Sequence, residues 1–576
     1  MRPPFALTLL CAALACAPVL ASTPAAERLQ AAGPAALVLE GGRIHTSSGI
    51  SESMAIDAKG VILALGTRSE IAAIAAAGVK RVELAGATVL PGFHDMHVHP
   101  VFGGMLQQQC KIAQGARLAD IQARIKACVA AAKPGDWITG GQWDASAIGR
   151  IPERSMLDAV APDNPVVLHD TSGHSIWANS KALAAAGITK DTVAPEGGII
   201  ERDSRGEPTG ALRETANALV MQHVPRPDAA QTRRALEWAL QEMLSYGITS
   251  FTEASLGFSA GLETEAGTWT ALADAGVLKQ RARICMTWAP GSAEAESLIA
   301  ARNTYARDRL SLDCVKIFLD GVPTDSHTAA MLEPYEGKVA GRDDEASRRG
   351  LLLVPQATLD EAVTRFDRMG LTVKFHAAGD AAVRAGLHAV GAARKANGFS
   401  TLLHDVGHCT FVSREDLGIA RQVGASFEVS PYLWDPSPIN DDITRAVGEA
   451  RIARVWPVRE MIDAGAHVIP GSDWAVVPSV NPWIAVETLV TRENPGGSKR
   501  AFGKPQAISL AEAIQLFTVN SARHEGSEDR LGSIAPGMIA DLVVIDQDPY
   551  EVPATRLHKT TVLKTIINGE IVWERR

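Results

Sequence analysis

The sequence has few cysteines, no block of basic residues and, beyond its N-terminal segment, no long apolar run. The formal net charge is −9, so a surface that neutralises nucleic-acid phosphates is not expected. No later segment approaches the ~18 uninterrupted apolar residues of a membrane-spanning helix. These absences favour a globular protein that acts on a small molecule. With 46% hydrophobic residues in a chain of 576, there is enough material for a large barrel with smaller parts attached.

Residues 1–21 are the exception to this pattern. Met1-Arg2 is followed by an apolar stretch at 5–20 and by small residues around Ala21, which is the order typical of a secretory signal. We therefore predict an exported protein, periplasmic or secreted, that is cleaved near Ala21. The segment 13–16, Ala-Leu-Ala-Cys, also resembles a weak lipoprotein signal, so lipid anchoring through Cys16 is the alternative.

Without that segment the chain keeps five cysteines, which are Cys110, Cys128, Cys285, Cys314 and Cys409. An odd number leaves at least one thiol free. Cys110 and Cys128 flank a segment with a helical pattern, and an oxidising compartment would allow them to form a disulfide. Two unrelated buried thiols are the alternative.

The alternation of short apolar runs and helical patterns predicts the fold. Runs broken by glycines occur at both ends of the chain, at 35–90 and 535–576, and strands this short need partners. The two ends are therefore expected to form one small β-sandwich domain. Between 91 and 534, eight β-rich runs alternate with helical stretches, which predicts an α/β fold with a (β/α)8 barrel of the TIM type. Residues 103–245 are then a large insertion after the first barrel strand, expected to act as a lid.

Five of the eight predicted strands end in residues that bind metals or move protons, and chemistry in such a barrel occurs at these carboxyl ends. Two histidines two residues apart at the end of a strand project to the same face. Each residue alone has a structural explanation, such as a solvated strand face or a helix cap. Their occurrence together, in order, favours a metal site. In chain order they are His97 and His99, Lys316, His376, His408 and Asp473.

The motifs around these residues carry a resemblance to a known family. They are Leu-Pro-Gly-Phe-His-Asp-Met-His-Val-His at 90–99, Val-Lys-Ile-Phe-Leu-Asp-Gly at 315–321, His-Ala-Ala-Gly-Asp at 376–380 and Gly-Ser-Asp-Trp at 471–474. Gly173-His174 and Pro-Thr-Gly-Ala-Leu-Arg-Glu at 208–214 agree with them. Together they resemble the amidohydrolase superfamily, in particular its amidohydrolase family 3 branch, from about residue 35 to 573.

This resemblance implies a metal-dependent hydrolase with one or two divalent ions, commonly zinc. Lys316 matches a lysine that can be carboxylated on its side chain and bridge two ions, which replaces a repelled ammonium with an anionic oxygen ligand. A single-metal site with Lys316 turned away is the alternative. The ligands implied by motif match are His97, His99 and Asp473 for the first ion, and His376 and His408 for the second.

One position departs from the family pattern. The family places an acidic residue just before the sixth-strand histidine, whereas Gly407 precedes His408 here. The site then either lacks this carboxylate or obtains it from Asp405. His404 is the nearest competing ligand, but it lies four residues upstream, at the expected start of the strand, so His408 remains the predicted ligand.

The predicted nucleophile is a metal-bound hydroxide, because a bound divalent metal lowers the pKa of water to ~7. Asp473 is expected to take its proton and pass it to a leaving nitrogen. His174, or else His327, is expected to hydrogen-bond the substrate carbonyl, although either histidine could instead hold a loop in place. We therefore expect hydrolysis of amide-type C–N bonds in N-acyl or N-substituted amides.

Three alternative functions stay open on the sequence. Esterase or lactonase activity would use the same hydroxide. A deaminase or cyclic-amide hydrolase would use the same barrel, but deaminases pair the fifth-strand histidine with a following glutamate, and this chain has Ala-Ala-Gly-Asp at 377–380. A non-catalytic secreted binding protein would have lost ligand residues, whereas every candidate position is filled. The sequence leaves a homo-oligomer open.

Overall fold

The computed structural model describes residues 34–113, 115–195, 197–324, 326–339 and 344–576. The predicted signal at 1–21, including Cys16, lies outside these residues. Among the helices that the structure describes, none combines the length and apolar character needed to cross a membrane.

Eight parallel strands at the centre of the molecule form the barrel, as predicted. Each strand pairs with the next one along the chain. A bridge between Val98 and Trp474 returns the chain after the last strand to the first. The strands are β1 (Phe93–Val98), β2 (Ile248–Leu256), β3 (Arg281–Thr287), β4 (Leu310–Phe318), β5 (Thr372–Ala377), β6 (His404–His408), β7 (Ala425–Val429) and β8 (His467–Pro470).

The barrel strands are buried on both faces because helices cover the outside while side chains fill the inside. Every residue of β1, β2, β5 and β7 is buried. The longer helices that cover the barrel are Pro100–Gln108, Ala229–Ser245, Leu262–Asp274, Ala293–Tyr305, Gln356–Arg368, Asp380–Asn397, Arg414–Val423, Pro438–Val447 and Pro482–Thr491. Shorter helices are Glu345–Arg349, Glu449–Ile452, Val458–Asp463, Leu510–Gln515 and Ser521–His524, with a π-helix at Leu516–Asn520 and 3₁₀ turns at Pro431–Leu433, Lys504–Gln506 and Ala554–Lys559.

Helix Ala229–Ser245 shows how the sequence specifies these covering helices. Asp228 and Gln231 form a capping box that satisfies the first free N–H groups. Ala235, Leu236, Ala239 and Leu240, spaced by one face of a helix, are buried in the barrel core. The helix packs closely on Pro100–Gln108, because a Cβ atom at Gly104 would overlap the backbone of Ala235.

The segment between β1 and β2 contains a separate six-stranded mixed sheet. An apolar cluster covers each of its two faces. Neighbouring residues of strand Val166–Asp170 belong to different clusters, Leu168 to one and Val167 to the other, because successive side chains of a strand point to opposite faces. Its strands, in spatial order, are Gly198–Arg202, Pro208–Glu214, Ser175–Ala178, Val166–Asp170, Ile138–Trp143 and Cys110–Lys111. Its helices are Leu118–Ala130, Ala145–Ile148, Arg154–Asp158, Ser180–Ala185 and Ala218–Met221, with a 3₁₀ turn at Thr215–Asn217.

Both ends of the chain contribute to one further sheet. Leu37 and Leu39 face one apolar core of this sheet, whereas Val38 faces a second core together with Ile71 of helix Arg68–Ile74. Its strands, in spatial order, are Glu570–Glu574, Val562–Ile567, Leu542–Ile545, Thr88–Pro91, Ala35–Thr46, Gly49–Asp57 and Ile62–Gly66, with Lys80–Glu83 paired to Ala35–Thr46. The limits predicted for the domains stay predictions.

Four of the described cysteines form disulfides. Cys110 is bonded to Cys128, which decides between the two alternatives left by the sequence. Cys285 on β3 is bonded to Cys314 on β4, its register partner, with 4.2 Å between the Cα atoms. This second bond was not expected, because its two residues come together only through the pairing of the strands. Cys409 is the free cysteine of the described chain and is buried.

Candidate metal centre

The carboxyl ends of the barrel strands open into a cavity of about 1020 Å³. All seven side chains that the sequence analysis placed in the site, apart from the alternative His327, line this cavity. Four come from the ends of β1, β5 and β6, one lies within β4, one follows β8, and one comes from the inserted sheet. They are His97, His99, His174, Lys316, His376, His408 and Asp473.

His97, His99 and Asp473 form the first cluster of potential ligands. Their donor atoms all lie within 4.8 Å of one another. Oδ1 of Asp473 is 3.2 Å from Nε2 of His99 and 3.6 Å from Nε2 of His97. Asp473 adopts a φ of +59°, a left-handed conformation that aspartate tolerates better than most residues, and its N–H donates to the carbonyl of His97 (2.7 Å). The closure of the barrel therefore brings these three side chains together.

A second cluster combines His97 with His408 and a residue that the sequence analysis missed, Glu428 on β7. The ring centroids of His97 and His408 are 4.7 Å apart, and His376 is also 4.7 Å from His408. The three imidazoles thus form a row across the mouth of the barrel. Glu428 had a sequence signal, since it is a single carboxylate within the buried strand Ala425–Val429.

Each imidazole of this row has a hydrogen bond at its Nδ1 atom. Nδ1 of His97 bonds to Oε2 of Glu428 (2.6 Å), Nδ1 of His376 to Oδ1 of Asp320 (3.1 Å), and Nδ1 of His408 to Oγ of Ser430 (3.1 Å). Such partners fix the tautomer and orientation of metal-binding histidines, and they leave Nε2 for a metal ion.

The remaining chemistry of the donor set also fits a divalent metal. Burial is the largest cause that lowers the pKa of His97, His376 and His408 well below the ordinary value, so the rings are in the neutral form that binds metals. Nδ1 of His99 is buried and has no hydrogen-bond partner, although Oε1 of Glu253 is 3.4 Å away. Imidazoles with a carboxylate are ligands that zinc accepts.

Asp320, which orients His376, belongs to the motif at 315–321, but the sequence did not predict a role for it. Its carboxylate accepts hydrogen bonds from the N–H groups of Ala330, Ala378 and Gly379, at 2.8 to 3.0 Å. The loop after β5 is therefore held by the same carboxylate that orients the histidine at the strand end.

Lys316 is buried, and its side chain lines the cavity. Nζ lies 5.0 Å from the ring centroid of Phe318. Burial, and after it the neighbouring Lys374, lower the pKa of Lys316 to about 8. Lys316 thus lines the same cavity as the histidine row.

The two alternatives considered around β6 are not in the site. Asp405 accepts a hydrogen bond from Nζ of Lys374 (2.5 Å) and lies 3.3 Å from Nε2 of His524. It does not supply the carboxylate missing before His408. His404 accepts from the N–H of Val373 and pairs with Asp367, so both of its ring nitrogens are used structurally.

His174 reaches the cavity from the inserted sheet. Its ring centroid is 4.8 Å from that of His376, and its Nδ1 is 2.8 Å from Oε2 of Glu214, whose other oxygen accepts from Oγ1 of Thr328. Burial lowers the pKa of His174, but nearby carboxylates, Glu214 first, outweigh burial and raise it to about 9. His174 is therefore a cationic hydrogen-bond donor at neutral pH.

His327 has the structural role that the sequence left as its alternative. Its ring stacks on Tyr335 with 4.2 Å between centroids, and Nδ1 is 3.2 Å from the carbonyl of Ser347. It is buried and holds the loop after β4. Asp325 of the same motif lies outside the described residues.

A parallel eight-stranded barrel with a histidine cluster at its carboxyl end defines a metal-dependent hydrolase of the amidohydrolase type. The chain matches the Amidohydrolase family over residues 80–573 and belongs to it. It is 27% identical over 526 residues to N-substituted formamide deformylase of Arthrobacter pascens, covering 90% of this chain and 94% of that protein. Protein LONG AFTER FAR-RED 3 of Arabidopsis thaliana is 28% identical over 550 residues, covering 93% and 91%.

Solved structures share the fold. An uncharacterized metal-dependent hydrolase from Pyrococcus horikoshii superposes with a TM-score of 0.69 at 23% identity, over 90% of this chain and 99% of that structure. The predicted family and the predicted barrel are confirmed.

The His174–Glu214 pair predicts a pH-dependent loss of stability. Because the folded pKa of His174, about 9, exceeds the unfolded value near 6.5, the pair stabilises the protein fully below about pH 6.5, by about 3 kcal/mol. This contribution is lost as the pH rises through about 9. Thermal unfolding of the wild type and of E214Q should therefore differ most at pH 6 and converge above pH 9. T328A, which keeps the charge of Glu214, is the control. A difference that does not change with pH would contradict the assigned pair.

Proposed function

We propose that the protein hydrolyses amide-type C–N bonds in small N-acyl or N-substituted amides. The observation that carries this proposal is the convergence of His97, His99, His376, His408 and Asp473 on one cavity, with Nε2 of the row histidines left for a metal. A relative that is an N-substituted formamide deformylase supports the choice of amides over other substrates.

Zinc is the ion that suits this donor set best. His97, His99 and Asp473 would hold a first ion, and His376 and His408 a second, with carboxylated Lys316 between them. An ion there supplies polarisation of the scissile carbonyl and a water of lowered pKa. Lys316 supports the two-ion version because it is buried beside the histidines, where a carbamate would offer the anionic oxygen that an ammonium does not.

The protein's own groups then handle the substrate and the proton. Asp473 is the carboxylate at the centre of the first cluster, and it takes the proton of the attacking water and delivers it to the leaving nitrogen. His174, charged because of Glu214, donates a hydrogen bond to the substrate oxygen as negative charge develops there. An amine leaves poorly without protonation, so this arrangement suits amides.

We also propose that the protein is exported. The two disulfides, Cys110–Cys128 and Cys285–Cys314, support this proposal, because disulfides persist in oxidising compartments. N-terminal sequencing of the protein recovered from the cell envelope and medium should give a start just after Ala21. A start at a lipid-modified Cys16 would identify the anchored form instead.

The substrate class is tested with the zinc-loaded protein. N-substituted formamides and N-acyl amino acids should be hydrolysed, and removal of metal with a chelator should abolish the activity until zinc is returned. Esters and lactones, which need no protonated leaving group, are the comparison substrates. Activity that survives chelation, or that is confined to esters and lactones, would rule out the proposed function.

The proton transfer is tested with D473N. We expect the variant to keep its metal, since an asparagine oxygen can still coordinate, and to lose about 100-fold or more in kcat on an amide, the usual contribution of a general acid–base. D435N is the control, because Asp435 lines the same cavity but is bonded to Asn494. Metal content by elemental analysis accompanies the kinetics. Undiminished hydrolysis by D473N would remove Asp473 from this role.

A further inference from the structure

The carboxylate of Glu428 occupies a space that two glycines leave open. Glu428 is fully buried on β7, and its register partner on β6 is Gly407. A Cβ atom at Gly407 would overlap Oε2 of Glu428, and one at Gly471 would meet Oε1 at 2.9 Å and overlap the side chain of His97. Any other residue at these two positions would displace the carboxylate.

From this space, Glu428 contacts histidines of two different strands. Oε2 is hydrogen-bonded to Nδ1 of His97 at 2.6 Å. Oε1 accepts a hydrogen bond from Oγ of Ser430 at 3.3 Å, and the same Oγ is 3.1 Å from Nδ1 of His408. One buried carboxylate therefore orients His97 directly and His408 through a hydroxyl.

If Glu428 were a direct metal ligand, its oxygen atoms would face the ion. In the structure, Oε2 lies on the Nδ1 side of His97 instead, whereas Asp473 lies on the Nε2 side at 3.6 Å. An oxygen that accepts from Nδ1 holds the ring and raises the basicity of the opposite nitrogen, which is the known effect of a carboxylate behind a metal-binding histidine.

We infer that Glu428 is a positioning residue for the metal centre, acting through His97 and His408, and that Gly407 is required because it leaves room for that carboxylate. The inference rests on the proposed function, since it assumes that the cavity binds a divalent ion. A single side chain then orients both His97 and His408, which the motif match assigns to different ions.

The test measures zinc affinity of the full-length protein by competition with a chelator. E428Q keeps the size of the side chain but replaces one acceptor oxygen with an NH2 group, so it cannot accept from both His97 and Ser430. It should bind zinc about 10–100-fold more weakly, as loss of an orienting partner does. E487Q is the matched control: Glu487 is also a buried glutamate bonded to a histidine Nδ1, that of His558 at 2.7 Å, but it does not line the cavity. E487Q should bind zinc like the wild type, and thermal unfolding of both variants shows that they fold.

A spectroscopic measurement separates positioning from ligation. With saturating Co²⁺ in place of zinc, E428L, whose side chain has no oxygen, should show the same number and type of metal ligands as the wild type by X-ray absorption. Loss of an oxygen ligand in E428L would overturn the positioning role. Unchanged zinc affinity in E428Q would overturn it as well.

The role of Gly407 is tested by combining two substitutions. G407A should weaken zinc binding in the wild type, because its Cβ atom displaces the carboxylate, and should have no further effect in an E428A background, since interacting residues are not additive. An equal loss in both backgrounds would overturn the requirement for Gly407. A wild-type protein that binds no zinc would refute the proposed function itself, whereas zinc binding that is insensitive to E428Q refutes this inference alone.

Discussion

The closure of the barrel between its last and first strands is the constraint on which the site depends. The N–H of Asp473 donates to the carbonyl of His97, and the N–H of His99 donates to the carbonyl of Trp474 at 2.5 Å. These bonds join residues almost 380 positions apart in the chain and place a carboxylate against two imidazoles. If the strands slipped by one residue, the side chains of the slipped strand would turn to the opposite face of the sheet. The ligand cluster is therefore a product of strand register.

The barrel and most of the cavity residues were predictable because both have local signals in the sequence. The eight β-rich runs are each a few residues long, and His97, His99, His376 and His408 stand where such runs stop. A barrel brings strand ends to one rim whatever the details of packing. For this reason the order of residues along the chain was enough to predict that these histidines lie at one rim of the barrel.

The residues that sequence reasoning missed depend on which side chains lie opposite each other across neighbouring strands. Glu428 reaches the histidines only because Gly407, its partner on β6, has no side chain. Cys285 and Cys314 pair because β3 and β4 align them. Asp405 was the wrong candidate for the carboxylate near His408, since Lys374 on the neighbouring strand takes it. None of these relations is visible from spacing along one chain segment.

The sheet built from both ends of the chain has a consequence for the timing of folding. Strand Thr88–Pro91, which leads directly into β1, pairs with Leu542–Ile545, and the edge strand on that side of the sheet is Glu570–Glu574. The strands at 35–91 pair with one another, but the strands at 542–574 that complete the sheet are synthesised only after the whole barrel segment. All eight barrel strands can therefore pair before this sheet is complete.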